Sequence, residues 1–492
     1  MRSSGILLPI FSLPSKYGIG CFSIEAYEFI DMLKRAGQKY WQILPLCPVG
    51  KGNSPYQSFS TYAGNPYFID LGALIAEGLL TQDECDEFTY SEEPTKVDYQ
   101  SIYATRESLF KKAHSRFCVD EGFGSFTRDN GYWLEDYVLY SALKEVNNGK
   151  AWTTWSEELR DRHPSVLQEK REELADELQY HRFLQYKFYQ QWQRLKAYAN
   201  EIGIGIVGDI PIYVAFDSAD TWANPMLFQF NENNEPIAVA GCPPDGFSAT
   251  GQIWESPLYS WEYHRETGYQ WWVQRMQHTF TLYDVVRIDH FRGFESYYSI
   301  PYGDETAEFG HWEKGPGIDF FDVLKERLGE MSVIAEDLGL LTDEVRHLVA
   351  GTGFPNMKVI EFAFDAGSDC EYLPHTYYEN CVVYTGTHDN DTLVGWLRSM
   401  SEYTKKFSDK YLDMEDKSEE EKAWTFIRAA LASVAAGAII PMQDYLCLDS
   451  EARMNTPSTV GGNWEWRLEQ GQITAELLDR IKDLTDIYGR QQ

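Results

Sequence analysis

The stretch "DVVRIDHFRG", residues 284–293, begins as an apolar run of β-type residues and ends as a cluster of charge. Isolated charge is costly to bury, so a strand ending in Arg287, Asp289, His290 and Arg292 must deliver them to a place that is wet or that pairs them. The C-terminal mouth of a closed parallel barrel is such a place, because side chains there project into the mouth and not into the packed interior. Seven other segments share the pattern of a short apolar run that turns polar and is followed by a helical repeat. They are 4–12, 40–46, 205–214, 332–339, 357–365, 381–389 and 436–446, which with 285–291 make eight. Eight strands alternating with helices predict an α/β fold of the (β/α)8 TIM barrel type.

The spacing is uneven. The second run ends near Leu46 and the third begins near Gly205, a gap far longer than a βα connection needs. Residues 82–189 read as amphipathic helices with charge outside and aromatics at helical spacing, predicting a helical subdomain inserted between strands 2 and 3. The barrel itself is then built from 1–81 and 190–492. A second long connection, 215–283, is dense in Gly, Pro, Asn and aromatics, and such loops over the C-terminal face commonly line sites. Residues 401–422 read as an exposed, charged helix pair.

Composition excludes several classes of function. Lys and Arg total 43 against 76 Asp and Glu, a formal charge of −33 that repels phosphate backbones and anionic lipid. Neither nucleic acid nor membrane is an expected partner. No stretch approaches 18 uninterrupted apolar residues, and the N-terminus lacks a small-residue cleavage site. The eight cysteines form no C-x-x-C pair, which fits reduced thiols in a cytoplasmic protein and gives no zinc site. No metal or cofactor is expected, since His290 and His388 lie on different strands without ligand spacing. Aromatics make up 15% of the chain, enough for surfaces that stack on flat, partly apolar partners such as sugar rings. A monomer and a homo-oligomer are both compatible with these features.

Alternation places Arg287 and Asp289 on one side of their strand, one pleat apart. A neighbouring cation lowers a carboxylate pKa by about 1 to 3 units, so Asp289 is expected to be held ionised. The fifth run ends in Glu336 and Asp337, and the seventh in His388, Asp389 and Asp391. Carboxylates from three strands would then meet at one mouth, and a carboxylate pair is what glycosidic bond cleavage requires. Glu336, with no adjacent Arg, suits the member of higher pKa that protonates the leaving oxygen.

"VVRIDHFRG", "VIAEDLG" and "YTGTHDNDT" together resemble the catalytic segments of the 4-α-glucanotransferases, also called amylomaltases or disproportionating enzymes (glycoside hydrolase family 77). The resemblance extends through "SGILLPIFSLPSKYGIG", "SPYQSFSTYAGNPYFIDL", "GDIPIYVAFDSADTWANP", "PPDGFSATGQIW" and "EARMNTPSTVGGNWEWR". It implies Asp289 as covalent nucleophile, Glu336 as general acid/base and Asp389 as transition-state stabiliser. Arg287 and His388 would bind sugar and tune the site, and Tyr56, Asp209, Tyr213, Gln252, Trp254 and Asn463 would line the groove. The implied reaction is transfer of α-1,4-glucan segments between maltooligosaccharides or glucans with retention at the anomeric carbon. Residues 242–260 would cover the groove. Two departures fall in that segment, since the family often has a bulkier residue at Gly246 and a Gly-Asn pair at Glu255 and Ser256. The alternatives are an α-amylase-type retaining hydrolase and a noncatalytic glucan-binding protein. The second of these should lack one of the three carboxylates.

Overall fold

The computed structural model describes residues 2–50, 52–91, 93–244, 248–339 and 341–491, so Gly246 lies outside the described residues. All eight apolar runs contain strands. We label them β1 (Ser3–Leu7), β2 (Tyr40–Gln42), β3 (Gly205–Pro211), β4 (Val285–Asp289), β5 (Val333–Ala335), β6 (Asn356–Val359), β7 (Cys381–Tyr384) and β8 (Gly437–Pro441). Each pairs in parallel with its neighbour, and β8 returns to β1, closing a (β/α)8 barrel. The interior is filled by inward residues of successive strands, among them Leu7, Val207, Ile334, Val359, Val382 and Ile439. Branched side chains dominate this layer because they fill the taper at low cost in rotamer freedom.

The strands are shorter than the apolar runs that announce them. β5 stops at Ala335, β7 at Tyr384, and β8 gives way at Met442 to a short helix. The candidate carboxylates therefore stand at or past the strand ends: Asp289 is the last residue of β4, Glu336 follows β5, and Asp389 sits in the loop beyond β7.

Between β2 and β3 the chain forms helices Tyr99–Arg116, Glu121–Asp129, Gly131–Val146, Pro164–Glu173 and Ala175–Glu201. Asp98 and Asp120 cap two of them by accepting hydrogen bonds from the amides of Ser101 and Phe123. Helix Ala175–Glu201 leads into β3 and packs on the barrel through Trp192, whose indole nitrogen donates to the carbonyl of Leu282 at 3.1 Å. The expected exposed helix pair at 401–422 is met only in part: helix Glu402–Leu412 is followed by helix Glu419–Ala432, whose first turn is acidic but whose Trp424, Phe426, Ile427, Ala430 and Leu431 are buried. Among the described residues no helix is long and apolar enough to cross a membrane.

The connections after β3 and β4 are not plain loops. They build a second, antiparallel sheet in the order Gln252–Pro257, Ala238–Cys242, Ser296–Pro301, His311–Lys314. Gly241 is needed there, since a Cβ at that position would meet the carbonyl oxygen of Gln252 at 2.1 Å. This sheet carries Gln252 and Trp254.

Candidate active site

Register decides which side chains meet. Asp209 on β3 pairs with Arg287 on β4, and Arg287 with Ile334 on β5. Side chains in register on parallel neighbours share a face, so Asp209 and Arg287 point the same way, with Asp289 one pleat further toward the mouth. The Arg287 guanidinium bridges the two acids through Nη1, 2.6 Å from Asp209 Oδ2 and 3.0 Å from Asp289 Oδ1. Asp209 has no exposed surface, so it acts on the site through Arg287 and Tyr56 and does not line the groove.

The Tyr56 hydroxyl donates to Asp209 Oδ2 at 2.8 Å and lies 3.4 Å from His388 Nδ1. The rings of Tyr56 and His388 stack at 5.0 Å. His388 Nε2 in turn lies 3.3 Å from Asp389 Oδ2, while Asn455 Nδ2 donates to Asp389 Oδ1 at 2.6 Å. One continuous network thus runs from Asp289 through Arg287, Asp209, Tyr56 and His388 to Asp389. The side chains of Asp289 and Asp389 keep 29% and 42% of their exposure, so the two ends of the network open to the mouth.

Glu336 enters from β5. Its Oε2 accepts from the backbone amide of His290 at 2.6 Å, and its Oε1 from the amide of Leu338 at 2.8 Å. His290 adopts φ 52°, a left-handed turn immediately after Asp289. Asp337, adjacent in sequence, instead accepts from Asn356 and from the amide of Met357, which ties it to β6. Asp391 likewise accepts from the Ser450 hydroxyl at 2.7 Å and from the amide of Thr392. Two acids that the sequence leaves as candidates are thereby occupied in holding loops.

Burial raises both acids of the pair. It pushes Asp289 up to about 6 against the opposing charge of Arg287, above the lowered value expected from the guanidinium beside it but still on the ionised side at neutral pH. Local alternation shows the cation but not the desolvation around it. Glu336 is raised further, to about 7, by burial and then by the neighbouring charge of Asp289. Burial would also raise Asp389, but the charge and hydrogen bond of His388, with Asn455, hold it well below the usual carboxylate range. His388 is raised despite its burial, because Asp389 favours the imidazolium. Burial and the Arg292 cation push His290 down to about 3, so it is a neutral ring.

The remaining predicted residues fall in two groups. Trp254 meets His290 edge to face at 4.7 Å, its indole donates to Gln252 Oε1 at 3.2 Å, and its carbonyl accepts from Gln57 at 2.9 Å. Tyr213 is buried, stacked on Tyr259 at 6.0 Å, and Arg275 pins its backbone by donating to the carbonyl of Ile212. Asn463 spends its amide on its own loop, accepting from the amide of Thr456 and donating to Thr459. Its neighbour Trp464, which the sequence reading passes over, contacts Tyr56 and His388 at 5.8 Å each. Asn455 and Arg453, which donates to the carbonyl of Asp389 at 2.7 Å, were also missed. All three lie inside "EARMNTPSTVGGNWEWR", whose polar residues beside an aromatic were the available signal.

A family model described as 4-alpha-glucanotransferase matches residues 8–474. The chain belongs to the 4-alpha-glucanotransferase family. It is 49% identical to the 4-alpha-glucanotransferase of Streptococcus pneumoniae serotype 4 over 99% of this chain and 97% of that one. It is 48% identical to that of Clostridium butyricum over 98% and 99% of the two chains. An amylomaltase from Streptococcus agalactiae, solved in complex with acarbose, superposes with a TM-score of 0.97 at 39% identity, covering 100% of both chains. The amylomaltase of Corynebacterium glutamicum shares the fold, with a TM-score of 0.80 at 16% identity over 100% of this chain and 75% of that one. As a member of the 4-alpha-glucanotransferase family the chain is a glycosyl-transferring enzyme of α-glucans.

Proposed function

We propose that the enzyme transfers α-1,4-glucan segments by a retaining, two-step mechanism in which Asp289 is the nucleophile, Glu336 the general acid and base, and Asp389 the stabiliser of the distorted, charged sugar. In the first step an Asp289 oxygen attacks the anomeric carbon while protonated Glu336 gives its proton to the departing 4-oxygen. An ester joins sugar and enzyme. In the second step Glu336, now a carboxylate, takes the proton of an acceptor 4-hydroxyl, whose oxygen attacks the same carbon and releases Asp289. Two inversions give net retention.

The observation that carries the reading is the division of labour among three acids of one mouth. Glu336, raised by burial and by the charge of Asp289, is held by the amide of the turn that follows Asp289, while Asp389 is kept ionised by His388 and Asn455. Transfer in preference to hydrolysis needs water kept from the ester. Trp254 and the second sheet support that role, packed against His290 one residue from the nucleophile. The acarbose complex of the Streptococcus agalactiae amylomaltase supports an α-glucan occupant for the corresponding groove here. Eight cysteines, all free, support a reducing, cytoplasmic setting.

Maltotriose given to the purified protein tests the reaction. Disproportionation yields glucose together with a ladder of longer oligosaccharides and leaves the number of reducing ends constant. Reducing ends that rise in step with substrate loss, with no products longer than the substrate, would support the hydrolase instead.

A further inference from the structure

Helices Ala175–Glu201 and Gln270–Leu282 pack side by side, and with the inserted helices Glu121–Asp129 and Gly131–Val146 they enclose a cleft of about 960 Å³. This lies at the upper end of the roughly 300–1,000 Å³ of small-ligand sites. It shares no lining residue with the catalytic network. The loop that carries Tyr56 links the two, since the carbonyl of Tyr62 accepts from Tyr189 and lies 3.2 Å from His278 Nε2 on the cleft's inner wall.

The lining has an unusual character for a helix surface. Where exposed helix faces ordinarily carry Lys and Glu, "QQWQR" (190–194) and "QRMQHT" (274–279) turn amides toward the cleft. The side-chain amides of Gln193, Gln274 and Gln277 make no hydrogen bond to any described residue, and Arg194 makes no ion pair with one. Charge is nearly balanced: Asp129 and Arg194 are the charged residues of the lining, in a chain of net charge −33. Beside the amides stands an aromatic platform. Tyr132 is 50% exposed, yet its ring is fixed edge to face on Tyr62 at 5.8 Å and its hydroxyl lies 3.0 Å from His278 Nδ1.

Unpaired amides offer both donors and acceptors without charge, and a fixed, half-exposed ring offers a flat apolar face. A neutral chain of hydroxyl-bearing rings matches both at once, whereas an anion would meet only one cation and an apolar ligand would strand the amides. We infer that this cleft is a second carbohydrate site, holding α-1,4-glucan away from the catalytic mouth. The inference rests on the proposed glucan transfer for the identity of the sugar. Its consequence is that polymeric substrate is retained by two contacts, the gain expected of linked sites.

Affinity electrophoresis in gels containing glycogen tests it, with maltotriose disproportionation and thermal midpoint measured on the same proteins. Gln193→Ala/Gln277→Ala and, separately, Tyr132→Ala should each lose about fivefold or more of the glycogen-dependent retardation. Maltotriose turnover should stay within about twofold of wild type and the midpoint should hold for the double variant, whose side chains bond nothing else. Retardation equal to wild type in both variants overturns the inference, as does a loss of maltotriose turnover in parallel with retardation. A wild type that fails to disproportionate maltotriose while its glycogen retardation is lost on these substitutions would place the failure on the transferase reading and leave the cleft standing.

Discussion

Glu336 accepts a hydrogen bond from the backbone amide of His290, 2.6 Å from its Oε2, so the acid at the end of β5 is fastened to the residue that follows Asp289. The left-handed turn at His290 aims that amide across to β5. Two acids on neighbouring strands are thereby held as a pair, and the charge of Asp289 raises the cost of ionising Glu336.

This pairing sets the pH dependence. In the proposed mechanism turnover requires Asp289 ionised and Glu336 protonated, and burial raises them to about 6 and about 7. The pH profile of kcat/KM on maltotriose should be a narrow bell, with apparent limbs belonging to the pair near those values. A plateau extending more than two pH units above 7 would contradict the assignment of Glu336 as the acid.

Arg287 opposes the burial of Asp289. Arg287→Ala removes the cation that favours the carboxylate, so the acid limb should move to higher pH, by about one unit or more, with a lower maximum. An unmoved acid limb in the pH profile would reduce Arg287 to a structural role.

Asp209 has no exposed surface and its carboxylate meets Arg287 and Tyr56. Asp209→Asn leaves a buried guanidinium with one anion in place of two, and should cost about 3 kcal/mol in urea unfolding while lowering kcat more than it raises KM. A variant as stable as wild type would show that Asp289 alone compensates the cation.

Glu255, exposed on the second sheet, adopts φ 56°, where a side chain strains the backbone and glycine does not. Glu255→Gly should raise stability by about 0.5–1 kcal/mol with the catalytic pH profile unchanged. A drop in the thermal midpoint would mean that the side chain contributes more than its strain costs.

These relationships were unequally legible. The eight barrel strands stand out because parallel strands, buried on both faces, must be written as near-continuous apolar runs. Their ends do not, since Glu336 and Asp389 extend the runs with residues that are already loop. The second sheet is hidden because Ala238–Cys242 and Gln252–Pro257 lie among Gly, Pro and Asn and owe their extension to pairing with Ser296–Pro301, distant in sequence. The choice of Glu336 over Asp337, and of Asp389 over Asp391, depends on hydrogen bonds to Asn356 and Ser450 that no local pattern records. The resemblance to known catalytic segments names Glu336 and Asp389 as the candidates of their pairs, and the partners that occupy Asp337 and Asp391 supply a physical reason for that choice. For the same cause the raised pKa of Asp289 could not be read from its strand, where only Arg287 is visible.

The central claim is that Asp289 forms the glycosyl ester and Glu336 resolves it. Glu336→Gln supplied with an α-maltotriosyl fluoride tests this most directly, because fluoride departs without an acid while the second step still lacks its base. Peptide mass spectrometry of the quenched protein should find a maltotriosyl adduct on the peptide containing Asp289, and Asp289→Ala should show none. An adduct on another residue, or no adduct while the fluoride is consumed at the wild-type rate, would contradict the account.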